Sequence, residues 1–182
     1  MGIKVRSPRD AKGEDAVKEK WVRVPRRCNM DERENEALPM TPNERLRNAR
    51  EASGKTPAEV AYTVHISESH YRDLEGHRDE LYMTVSLAEL RNLGCAVGLT
   101  IRRIFGVDTK ASMDLVGLAE ALRHHLVKQE LSIQEFEKRA GWDLTKFVEN
   151  PETAWQEWNF DCLCDVCREL GISWIDVLPD AA

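Results

Sequence analysis

The feature that most limits what this chain can fold into is an internal repeat. Slid against itself by 76 positions, the sequence brings Leu46 onto Leu122, Thr56 onto Ser132, Glu59 onto Glu135, Val60 onto Phe136 and Tyr71 onto Phe147. After a three-residue deletion the offset becomes 73. Leu90 then meets Leu163, Leu93 meets Val166, Val97 meets Leu170, Leu99 meets Ile172, and Ile104-Phe105 meets Val177-Leu178. Cap, core and terminal positions stay in step, which is the mark of two tandem copies of one supersecondary unit.

Each copy reads as helices, and strand alternation is almost absent beyond Pro42. Leu46, Ala49 and Arg50 begin a helix after "TPN", with Gly54 placed to end it. Thr56, Pro57 and Glu59 then supply a cap, a proline at the first helical position and the acid of a capping box. Ser67 caps the next helix, with Glu68 in its first turn. A fourth helix runs from about Thr84 to Val97, with Leu87, Leu90, Leu93 and Val97 on one face. Thr100 opens a short fifth piece, "TIRRIFG". The expected fold is therefore all-α, with five-helix units at 43–106 and 115–178. The expected domain plan is an arm over 1–40, a first unit over 41–106, a polar linker "VDTKASMD" over 107–114 and a second unit over 115–182.

Charge divides unevenly over this plan. The chain carries a net −6, an acidic balance that argues mildly against a strong sequence-blind DNA binder. Residues 1–27 nevertheless hold 9 basic against 4 acidic side chains. That arm has few apolar residues and no helical period, so disorder is expected there. Within it, Trp21, Val22 and Val24 of "KWVRVP" are candidates for a short docking peptide. Residues 41–106 are neutral, with 9 of each sign, and residues 107–182 carry 7 basic against 15 acidic. No apolar run approaches the roughly 20 residues of a membrane helix. The polar N-terminus lacks the apolar core of a signal peptide, and five Cys suit reduced thiols in a cytosol. A cytoplasmic protein without a membrane partner is expected.

The first unit resembles the helix-turn-helix domain of Cro/C1-type regulators, the XRE family. Val60, Val64, Ile66, Tyr71 and Leu74 fall on that motif's apolar positions, and Ala61 on its small one. Glu75-Gly76 matches the acid and glycine that close the recognition helix. The resemblance spans residues 43–106 and implies two lambda-repressor-like units, the first binding double-stranded DNA as a sequence-specific transcriptional regulator. It implies a reading surface of Ser67, Ser69, His70 and Arg72, flanked by Lys55, Thr56 and Arg78. Arg72 suits guanine or phosphate, Ser69 and His70 suit base edges, and Lys55 and Arg78 suit phosphate. Two positions depart from the pattern. His65 stands where the turn normally carries Gly, and Pro57 replaces a polar residue that touches phosphate in this family.

The second copy keeps a turn glycine, Gly141, with Phe136, Trp142 and Phe147. However, Glu137 occupies the small position, and Asn150-Pro151 replaces the last apolar one. Pro151 should end that helix early. This degenerate, acidic copy is expected to serve packing, dimerisation or another protein instead of DNA. Its apolar contact would use Trp174, Val177 and Leu178 against Ile101, Ile104 and Phe105 of the first unit, or against a second chain. Trp155, Trp158 and Phe160 are of the types that anchor interfaces, although core packing accounts for at least two of them.

Cys162, Cys164 and Cys167 contain a C-x-x-C but sit in a helical apolar pattern without a second ligand pair, so buried thiols account for them better than a metal. No phosphate loop, nucleophile elbow or paired-carboxylate motif is present, and neither an enzyme nor a cofactor is expected. The alternative to a DNA-binding regulator is a protein-interaction module, of the antitoxin or phage control-factor kind, whose helix-turn-helix folds serve partner binding.

Overall fold

The computed structural model describes residues 40–178. The expected basic arm, the "KWVRVP" stretch within it and the last four residues lie outside these described residues. Among the described residues twelve α-helices follow one another: α1 (Pro42–Ala52), α2 (Pro57–Val64), α3 (Glu68–Gly76), α4 (Glu80–Met83), α5 (Leu87–Val97), α6 (Ile101–Ile104), α7 (Leu115–Lys128), α8 (Ile133–Ala140), α9 (Thr145–Glu149), α10 (Ala154–Glu157), α11 (Phe160–Leu170) and α12 (Trp174–Val177). A 3-10 turn, Pro151–Thr153, lies between α9 and α10. Among the described residues the only ladder-like pairing is one antiparallel bridge between Ser86 and Asn159. The protein is all-α, and no described helix is long and apolar enough to cross a membrane.

Local sequence sets the helix starts. Glu59 Oε2 accepts the Thr56 N–H at 2.7 Å, and Glu135 Oε2 accepts the Ser132 N–H at 2.9 Å. Each closes a capping box, and these hydrogen bonds hold the Glu59 and Glu135 carboxyls below their ordinary range. Ser86 and Glu89 repeat the device at the start of α5. The helix bounds follow the same offsets as the sequence. Helices α2 and α8 stand 76 apart at both ends, and α5 and α11 stand 73 apart at both ends.

The core is one continuous cluster. Leu46, Val60, Tyr71, Leu74 and Leu90 fill its first half, and Leu118, Leu122, Phe136, Phe147, Leu163 and Val166 its second. Gly94 is where α5 meets the loop after it, since a Cβ there would lie 2.6 Å from the Leu99 carbonyl oxygen. The halves join where α5 packs on α10 and α11 packs on α4. Phe105 and Phe160 stack at 3.8 Å between ring centroids, and Tyr82 stands edge-on to both. Leu87 donates its N–H to the Trp158 carbonyl at 2.8 Å, and Asn159 Nδ2 reaches the Met83 carbonyl at 2.9 Å. Of the three aromatics in "WQEWNF", Trp158 and Phe160 are buried, while Trp155 is half-buried beneath the Arg91 guanidinium.

Residues 107–114 are held in place. Val107 is buried, and the N–H groups of Ser112 and Met113 both donate to the Asp176 carbonyl. Arg102 is fully buried and donates to Thr109 O, Thr109 Oγ1, Ile175 O and Leu178 O at 2.6–3.0 Å. Its charge lies at the C-terminal end of α12, where carbonyls lack helical partners and a cation is favoured.

Candidate nucleic-acid interface

Helices α2 and α3 meet through a three-residue connection at His65, Ile66 and Ser67. His65 takes the left-handed conformation, φ 61 and ψ 36. Its N–H donates to Tyr62 O and that of Ile66 to Ala61 O, the two bonds of a Schellman closure. The geometry is one that glycine adopts freely and a Cβ resists, so His65 occupies it under strain. In the second half Gly141 occupies the same place with φ 93, its N–H donating to Glu137 O at 2.7 Å.

From this turn α3 emerges with its faces cleanly divided. Tyr71, Leu74 and Glu75 are buried, while Ser67, Glu68, Ser69, Arg72 and Asp73 are exposed. Ser67 Oγ accepts the His70 N–H at 3.1 Å and lies 3.2 Å from Ser69 Oγ. His70 is half-buried, with Nε2 3.4 Å from Thr84 Oγ1. Arg72 donates twice to Glu68 Oε1, at 2.9 and 2.7 Å. An exposed i,i+4 pair of this kind is worth only about 0.3–0.5 kcal/mol. A phosphate or guanine edge can therefore displace Glu68 at little loss.

The flanking residues divide differently. Lys55 Nζ donates to the Ala96 carbonyl at 2.6 Å, so its ammonium is tied to the last turn of α5. The Thr56 hydroxyl is engaged within its own capping box. Arg78 is half-buried, with its guanidinium 5.9 Å from the Tyr82 ring centre. Ser69 and Arg72 thus share the exposed face of α3 with Glu68 and Asp73, whereas His70 stands on its half-buried flank toward Thr84, Ser67 caps the helix, and Lys55 and Arg78 are committed to contacts of their own.

What anchors that face is a group that helical periodicity does not identify. The Glu75 carboxylate receives Arg50 Nε at 2.7 Å and Arg50 Nη2 at 3.0 Å, with both side chains buried. The Glu75 carbonyl also accepts Arg47 Nη2 at 2.6 Å and Asn43 Nδ2 at 3.3 Å. Helix α1 thereby holds the end of α3, and the pairing raises the Arg50 pKa. Burial pushes the neighbouring Tyr71 hydroxyl well above its ordinary range. Tyr62, on α2, is 82% exposed and is the most exposed large apolar side chain described.

The second half arranges its corresponding segment otherwise. Glu137 turns its Oε1 onto the N–H groups of Leu144 and Thr145 and the Thr145 hydroxyl, at 2.8–3.1 Å. The carboxylate therefore caps the next helix instead of lying unpartnered between helices. Helix α9 stops after Glu149, where Pro151 opens the 3-10 turn, and Lys146 pairs with Glu157 at 2.7 Å. Cys162, Cys164 and Cys167 are all buried. Burial raises the Cys162 thiol and pushes that of Cys167 up to about 12. Among the described residues no group of three or more His, Cys, Asp or Glu is arranged to hold a metal.

Of the six residues expected at an interface, Phe105 and Trp174 meet Phe160 across the junction. Ile101, Ile104, Phe105, Val177 and Leu178 are buried, and Trp174 is half-buried, edge-on to Phe105 at 6.2 Å and to Phe160 at 5.1 Å. No family model matches the chain, and no curated protein matches its sequence.

Proposed function

We propose that this protein is a cytoplasmic, sequence-specific DNA-binding transcriptional regulator of the Cro/C1 type. In this reading residues 41–106 form its helix-turn-helix unit, and residues 115–182 a degenerate copy kept for packing. The observation that carries the reading is the exposed face of α3, where Ser69 and Arg72, with His70 at its flank, follow a Schellman turn and a Ser67 cap. A short helix so presented, with its buried side fixed to α1, is the geometry by which such motifs enter a major groove. The basic residues of the N-terminal arm would add phosphate contacts and salt dependence. The protein acts by binding, without a cofactor.

The alternative, a protein-interaction module, is favoured by the exposed Tyr62 ring and by the acidic balance of residues 107–182. Duplex binding measured over a range of salt decides between them. The DNA reading expects retention at low salt and a specific complex at moderate salt. Arg72→Ala should weaken that complex by about 1–3 kcal/mol. A protein that retains no duplex even at low salt overturns it.

A further inference from the structure

The contacts between the halves are reciprocal. Helix α5 packs on α10, and α11, which stands 73 positions after α5, packs on α4. The antiparallel bridge joins Ser86 to Asn159, again 73 positions apart, and both are the N-caps of those two helices. Arg102 donates to the carbonyl of Ile175, also 73 positions along. An antiparallel pairing of equivalent residues, with element i on j and j on i, is what a two-fold axis between two copies produces. Here the axis lies within one chain.

The residues on that axis differ between the halves in a way that excludes a second identical copy. At one pair of equivalent positions stand Arg102, fully buried, and Ile175. Two first halves joined in this manner would bring two guanidinium groups into one buried space, where like charges repel strongly in a low dielectric. The stacked pair Phe105–Phe160 shows the same asymmetry, because its equivalents are Leu178 and Leu87. The matched surface accepts the second half of this chain and opposes another first half through the buried Arg102 charge, which is specificity by charge.

We infer that the chain is a covalent pseudo-dimer whose self-pairing surface is filled internally, so that it acts as a monomer and recognises one non-palindromic DNA half-site. The half-site clause rests on the DNA-binding reading above. Dimeric helix-turn-helix proteins read two half-sites about one helical turn apart because each subunit supplies an equivalent head. In this chain the second head is a five-residue α9 whose entry is capped by Glu137 and whose Lys146 is paired.

The test uses the full chain. Its mass in solution across the micromolar range should remain that of one 20.8 kDa chain. Selection from a random duplex pool at moderate salt should return one non-palindromic site, bound by one chain per duplex. A dimer mass without DNA, or a palindromic site bound by two chains, overturns the inference. Failure to retain any duplex overturns the DNA reading and its half-site with it, while the mass still decides whether the pairing is internal.

Discussion

Removing the Glu75 carboxylate is expected to be among the most damaging single changes to the first half. The Arg50 and Glu75 side chains are 10% and 7% exposed, and two hydrogen bonds of 2.7 and 3.0 Å join them. An exposed pair would contribute at most about 1 kcal/mol, whereas stripping one partner from a buried pair costs about 3–5 kcal/mol. In Glu75→Ala the Arg50 guanidinium keeps the Lys55 carbonyl at 3.0 Å and Glu51 at 3.4 Å. The lower end, about 3 kcal/mol, therefore applies. For a chain of this length that is a fall in Tm of about 6–12 °C, and roughly a hundredfold in the folding equilibrium. Urea unfolding followed by far-ultraviolet circular dichroism reads the change directly. Arg50→Met combined with Glu75→Leu should recover much of the loss, because no charge is then left buried alone. On the DNA-binding proposal, since Glu75 fixes α3, the single variant should also lose duplex affinity in proportion to its unfolding. A Glu75→Ala protein within about 0.5 kcal/mol of the parent, or a double variant no better than the single, would refute the argument.

Three further changes test other parts of the molecule. His65→Gly should raise stability by about 0.5–1 kcal/mol, the relief of a left-handed residue less the added freedom of the unfolded chain, and a measured loss would remove strain from the turn. Burial, with Asp165 and Asp79 nearby, pushes Asp161 up to about 6. The folded state thus holds that proton more tightly than the unfolded one, so the penalty is present above about pH 6 and vanishes as pH falls toward 4. Asp161→Asn should accordingly raise Tm at pH 8 but not at pH 4, and a gain independent of pH would contradict this. Trp174→Asp places a charge against Phe105 and Phe160. It should lower the melting temperature of the whole chain in a single transition, so two separated transitions would show that the halves unfold independently.

Much of the local architecture was legible in the sequence, because its causes are local. The Thr56 and Ser132 capping boxes, the Ser67 cap and the stop at Pro151 each depend on residues within a turn of one another. Burial of Val60, Tyr71, Leu90, Phe136 and Leu163 follows from helical period alone. The strained turn at His65 could be anticipated as well, since helix closure asks for a left-handed residue and the sequence supplies no glycine there.

The rest was decided by contacts between residues far apart in the chain, and side-chain type does not specify those. Lysine at 55 reads as a phosphate ligand until the end of α5 arrives beside it and offers a carbonyl. Glu137 reads as a buried liability until the start of α9 turns its N–H groups toward it. Arg50 and Glu75, 25 positions apart, become a buried pair only when α1 and α3 cross. Arg102 is the fullest case. By sequence it is one of two adjacent arginines in a short helix, and only the docking of α12 encloses it among carbonyl oxygens while Arg103 stays exposed. Periodicity tells which side chains leave water, but the groups that meet them there are chosen by how the helices pack, because a polar group buried on folding must find its partner wherever the tertiary structure brings one.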